Sequence, residues 1–208
     1  MSGLAERRLY CCTPDRADLT SFVGQIIDGG VDLVQLRSKD LEARALLEAA
    51  ARCQAVCADR GVPFIMNDRP DLALELGADG VHVGQDDAPV DLCRRILGPD
   101  ALVGLSTHAS AELAAALTED VSYLSAGPVE ATPTKPGRPG TGLGYVRDAL
   151  AASSVPVFVT GGVTTSSIDE LAAAGVRHFV VVRALTEADD PFKAARALRE
   201  SIDGALGL

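Results

Sequence analysis

Short apolar, β-branched runs alternate along the chain with Ala- and Leu-rich stretches of helical period. The runs are RLYCCT (8–13), VDLVQLR (31–37), PFIMND (63–68), GVHVGQ (80–85), LVGLST (102–107), VSYLSAG (121–127), PVFVTG (156–161) and HFVVVRA (178–184). Between them lie segments such as LEARALLEAAARCQAVCADR (41–60) and residues 191–203, which read as helices. Strand–helix alternation predicts a parallel sheet, because parallel neighbours need crossover connections. Eight such units in 208 residues predict one closed (β/α)8 TIM barrel spanning 1–208, with no second domain. An open, doubly wound sheet is the alternative. GGVDLV, LGADGVHV and AAGVRHFVV each place Gly between helix and strand. That is an echo of repeating units, or simply of helix C-terminal capping.

In a barrel, chemistry belongs at the C-terminal ends of the strands. The second run closes on Gln35, Arg37 and Lys39, which alternate and so share one face, while Val34 and Leu36 take the other. Two cations side by side suit a multiply charged oxyanion such as pyrophosphate. A solvated rim is the plainer reading. The third run ends at Asp68 and the fourth leads into Asp86 and Asp87. Carboxylates beside an anion site suit Mg2+, which takes one or two of them together with phosphate oxygens and water. Singly, Asp68 and Asp87 also read as helix N-caps, before RPDLALEL and APVDLCRRI.

Ser106 and Thr107 end the fifth run, where short hydroxyls are common. His82, His108 and His178 lack metal-ligand spacing and read as hydrogen-bonded structural residues. The sixth run feeds a Pro- and Gly-rich loop, about 128–142, carrying Thr132, Pro133, Thr134 and Lys135. A loop that long is functional or disordered. We read it as a mobile lid that brings Lys135 onto an anion and excludes water. After the seventh run, Gly161 and Gly162 allow close backbone approach, with Val182 and Arg183 opposite. Loops at these two positions build a phosphate site in many barrels. A tight turn is the simpler account of the Gly pair.

Charge and cysteines narrow the setting. The formal net charge is −10 and no basic stripe occurs, which argues against nucleic acid. No apolar run reaches the ~18 residues of a membrane span, and no secretory signal is visible. The five Cys form no CxxC pair and read as reduced thiols, so a cytoplasmic setting is expected. Cys53 and Cys57 lie one helical turn apart, without a partner set for a metal.

QLRSKD, the ND after the third run, ADGVHVGQDD, GLSTH, GPVEATPTKPG, TGGVT and VVVRALTEADDP together resemble thiamine phosphate synthase, in order and over nearly the whole chain. The resemblance implies a (β/α)8 transferase. Such an enzyme joins hydroxymethylpyrimidine diphosphate to a thiazole phosphate, plain or carboxylated, and releases pyrophosphate through a dissociative step. It places Gln35, Leu36, Arg37, Ser38, Lys39, Asn67, Ser106 and Lys135 around the pyrimidine diphosphate. Arg37, Lys39, Ser106 and Lys135 are the expected catalytic groups. Asp68 and Asp87 become the Mg2+ ligands, and Thr132, Pro133, Thr134, Gly162, Val182 and Arg183 take the thiazole phosphate. Two positions depart from the family pattern: Ser38 stands where an acid is common, and Arg183 where many members carry Ser. A related thiazole tautomerase, a Schiff-base aldolase and a non-catalytic phosphate-binding barrel are the rival readings. The family also suggests a homo-oligomer with small-molecule substrates and no membrane partner.

Overall fold

Residue parity along each strand divides the chain between two cores. On the second strand Val34 and Leu36 face the helices, while Leu33 points into the barrel with Tyr10, Ile65, Tyr123, Phe158 and Val180. The computed structural model describes residues 3–131 and 139–208. After a 3-10 turn at Leu4–Glu6, the order begins β1 (Leu9–Thr13), α1 (Leu19–Asp28), β2 (Leu33–Leu36), α2 (Ala43–Asp59), β3 (Phe64–Asn67) and α3 (Pro70–Leu76). It continues β4 (Gly80–Val83), α4 (Val90–Leu97), β5 (Leu102–Thr107), α5 (Ser110–Ala116), β6 (Tyr123–Ala126) and α6 (Gly142–Ala152). It ends β7 (Val157–Thr160), α7 (Ile168–Ala173), β8 (His178–Val181), the short α8 (Arg183–Thr186) and α9 (Pro191–Leu206). All neighbouring strands are parallel, and β8 pairs with β1, so the sheet closes into an eight-stranded barrel rather than an open sheet. Each of the eight predicted runs contains its strand.

The helices form where an apolar stripe recurs at helical spacing. On α2, Leu46, Ala49, Ala50, Cys53, Val56 and Cys57 are the buried face. Pro at the first turn starts α3 and α9, and Asp190 caps α9 by accepting from the Lys193 N–H at 3.0 Å. Inside the barrel, Phe158 meets Tyr10 and Tyr123 edge-on, with ring centroids 5.4 and 5.2 Å away. Burying one such ring contributes about 2–3 kcal/mol.

At the N-terminal end, Asp32 locks the barrel. Its carboxylate accepts from the Arg8 and Leu9 N–H groups at 2.8 and 3.0 Å and from Arg199 Nη1 at 3.0 Å. Asp79 does similar work for β3, accepting from the Phe64 N–H at 2.8 Å. Toward the other end the interior turns polar, and Cys12, Gln35, Asn67, His82, Ser106, Ser125 and Thr160 open onto a cavity. Among the described residues no helix is long and apolar enough to cross a membrane.

Candidate active site

The cavity at the C-terminal mouth has a volume of about 410 Å3. Arg37, Lys39, Asp68 and Asp87 all border it, so the charges that the sequence placed at three strand ends meet at one rim. Strand parity does this: Gln35 points inward, and the chain leaving β2 carries Arg37 and Lys39 on the same side. Leu36 and Ser38 fall on the alternate parity. Neither borders the cavity, and Leu36 is fully buried in the helix-facing core, although the resemblance put both at the diphosphate. Thr107 is likewise turned away from the mouth, fully buried, and donates to the Ser125 carbonyl at 3.3 Å.

The two aspartates are not helix caps. Asp68 precedes Arg69, the N-cap of α3, and its carboxylate lies 3.2 Å from Lys39 Nζ. Asp87 sits ahead of Pro89, the N-cap of α4, and accepts from the Gly84 N–H at 2.8 Å. Asp68 has φ 60°, a left-handed conformation found at no other non-Gly residue among those described. Such strain persists only where the surroundings hold it. Burial raises the Asp68 pKa, and the hydrogen-bonded Asp87 carboxyl raises it further, against the lowering pull of Lys39. A cation between the two carboxylates would relieve that repulsion. Among the described residues no three His, Cys, Asp or Glu gather as a metal site. Two carboxylates still fit Mg2+, whose remaining positions go to phosphate oxygens and water.

Arg37 is half-buried, and among the described residues its guanidinium has no hydrogen bond or ion pair. A cation kept at a cavity wall without a counter-charge is ready for an anion. Opposite, Gly161 and Gly162 adopt φ 92° and 79°. A Cβ on Gly161 would lie 2.4 Å from Pro128 Cβ, so only Gly allows this turn against the start of the long loop. Val182 and the exposed Arg183 border the cavity beside them, and with Arg37 they also border an adjoining cleft of about 320 Å3.

The long loop leaves from this wall and returns to it. Val129 N–H donates to the Thr160 carbonyl at 2.8 Å, and Thr141 N–H donates to the Pro128 carbonyl at 2.7 Å. Its base is therefore pinned beside the Gly pair. Thr132, Pro133, Thr134 and Lys135 lie outside the described residues.

The three histidines are hydrogen-bonded, as expected. His178 Nδ1 meets the Arg7 carbonyl at 2.6 Å, and His108 Nδ1 meets the Gly127 carbonyl. His82 does more: its Nε2 lies 2.8 Å from Ser106 Oγ and its Nδ1 3.1 Å from Tyr123 OH. Tyr123 OH is 3.1 Å from Tyr10 OH, to which Gln35 Nε2 donates at 2.5 Å. Cys12 Sγ donates to Gln35 Oε1 at 3.2 Å. Tyr10, Cys12, Gln85, Ser125 and Thr160 were missed from the sequence, although the alternation that exposed Gln35 applies to the first, sixth and seventh runs too. Cys12 is half-buried at the cavity, while Cys11, Cys53, Cys57 and Cys93 are buried. All five are free.

Residues 9–185 match the family model described as thiamine monophosphate synthase. A thiamine-phosphate synthase of Mycobacterium sp. (strain KMS) is 46% identical over 213 residues, covering 96% of this chain and 94% of that protein. One from Thermus thermophilus is 51% identical over 177 residues, covering 85% of each. The solved structure of thiamine phosphate pyrophosphorylase from Pyrococcus furiosus superposes with a TM-score of 0.88 at 29% identity, covering 96% of this chain and 97% of that one.

Proposed function

The chain belongs to the thiamine monophosphate synthase family, and from that premise we propose how its mouth residues divide the work of the transfer. It is a transferase that forms thiamine phosphate. The proposed donor is hydroxymethylpyrimidine diphosphate, and the proposed acceptor is a thiazole phosphate. Arg37 and Lys39, joined by Lys135 from the loop, hold the diphosphate. Gln35, Asn67 and Ser106 hold the pyrimidine. Gly162, Val182 and Arg183, with Thr132 to Thr134, take the thiazole phosphate. Asp68 and Asp87 hold Mg2+, which when bound neutralises charge on the diphosphate oxygens.

The observation that carries this reading is the half-buried Arg37 guanidinium, unpaired among the described residues, at the same wall as the Lys39–Asp68 pair and Asp87. Departure of pyrophosphate moves negative charge onto the leaving oxygens, and Arg37 and Lys39 are positioned to receive it. Catalysis of this kind rests on preorganised electrostatics. Tyr10 borders the cavity, with Tyr123 and Phe158 packed behind it, and this aromatic backing limits water near the carbon that is left cationic. The free thiols suit a reducing cytoplasm. The test mixes the two substrates with Mg2+ and follows pyrophosphate and thiamine phosphate together. Equal amounts of both are expected, and pyrophosphate without thiamine phosphate would refute the assignment of the acceptor.

A further inference from the structure

We propose that Cys12, Gln35, Tyr10, Tyr123, His82 and Ser106 form a one-way hydrogen-bond relay that fixes Ser106 as a donor into the cavity. Tyr123 and His82 are then positioning residues, acting on substrate through Ser106. The relay crosses the barrel interior from β1 and β2 to β5, and every member except Cys12 is buried.

Its direction follows from the donor inventory. Gln35 Oε1 accepts from Cys12 Sγ, so Nε2 is the atom facing Tyr10 OH, and an amide nitrogen only donates. Tyr10 therefore accepts there and sends its single proton to Tyr123. Tyr123 sends its own to His82 Nδ1. With Nδ1 accepting, the neutral ring carries its proton on Nε2 and donates to Ser106 Oγ. The Ser106 hydroxyl is left with one proton to direct at the cavity it lines. Both tyrosines keep their protons, because burial raises their pKa values.

The room for the relay is built in. A Cβ on Gly104 would lie 2.5 Å from Tyr123 OH and 2.6 Å from His82 Nδ1. Only a residue without a side chain lets those two groups meet above β5.

The consequence is specificity. Ser106 offers a proton and so reads a lone pair on its ligand, such as a pyrimidine ring nitrogen. This last step rests on the proposed placement of the pyrimidine; the relay itself does not. The opposite orientation of the Gln35 amide would reverse every bond and leave the Ser106 proton committed to His82. The two arrangements are distinguishable.

The first arm is 15N NMR of the histidine-labelled wild-type protein, with the His82 signals identified by their loss in His82→Gln. A pyrrole-type Nε2 and a pyridine-type Nδ1 are expected; the reverse pattern overturns the relay. This arm needs no substrate, so it stands even if the function is misassigned. The second arm is a double-mutant cycle. Tyr123→Phe keeps the ring packing and removes one hydroxyl. It should lower kcat/KM roughly tenfold in the wild type, the scale of one hydrogen bond. In a Ser106→Ala background the loss should fall below about twofold, because the sites share one network. Equal losses in both backgrounds would mean that Tyr123 acts on structure alone and would overturn the proposal.

Discussion

Asp32 and Asp68 are both mostly buried carboxylates with raised pKa values, and they stand at opposite ends of the barrel. Burial is the largest cause in each. Their neighbours differ. Asp32 is surrounded by donors: two backbone N–H groups and Arg199, which also binds Asp203. Asp68 has one lysine and faces a second carboxylate, while Arg37 stands unpaired nearby among the described residues. One end satisfies its charge within the fold. The other leaves charge unsatisfied and holds Asp68 in a left-handed conformation besides. Charge satisfied within the fold and charge left open to a ligand thus lie at opposite ends of the barrel axis, and substitutions at the two ends should separate stability from catalysis in measurement.

The largest expected effect is on rate. Arg37→Ala should lower kcat by about 10²–10³, the loss seen when one preorganised partner of a developing charge is removed. Its urea midpoint should remain close to wild type, since no described contact is broken. A destabilised Arg37→Ala would erase the contrast. Next comes Asp32→Ala at the other end. It strands two N–H groups and removes one of the two carboxylate partners of Arg199, and should cost about 3 kcal/mol of stability in denaturant unfolding. The folded variant should keep near-normal turnover. Asp68→Asn should do the opposite: strongly reduced activity that added Mg2+ does not restore, with no loss of metal-free stability.

The smallest effect sharpens the comparison through pH. In metal-free protein the folded Asp68 holds its proton to higher pH than the unfolded chain does. Its contribution to stability is therefore full below the ordinary carboxylate pKa near 4 and is lost as pH rises through the raised value. Wild type should fall relative to Asp68→Asn across that window, and saturating Mg2+ should abolish the difference.

Much of this was legible in the chain because alternation is a strong signal. The parity of Gln35, Arg37 and Lys39 against Val34 and Leu36 named both the inward face and the rim, and eight such runs named the barrel. Gly161 and Gly162 marked a turn that their positive φ values and the contact with Pro128 require. Other features were not local. Nothing in ND before RPDLALEL distinguishes a capping Asp68 from one turned toward Lys39, because that depends on where β2 lies. The meeting of Tyr10 with Tyr123 and of His82 with Ser106 joins residues far apart in sequence through barrel closure. Gly104 carries no local mark of its role, because the groups that crowd it, Tyr123 and His82, come from β6 and β4.

If the mouth keeps its cations and paired carboxylates for a diphosphate, pyrophosphate alone should bind there. Calorimetric titration of pyrophosphate into the wild-type and Arg37→Ala proteins, each with and without Mg2+, tests it most directly. Wild-type binding should strengthen with Mg2+ and weaken roughly a hundredfold on losing Arg37. Equal affinity in both proteins, indifferent to the metal, would contradict it.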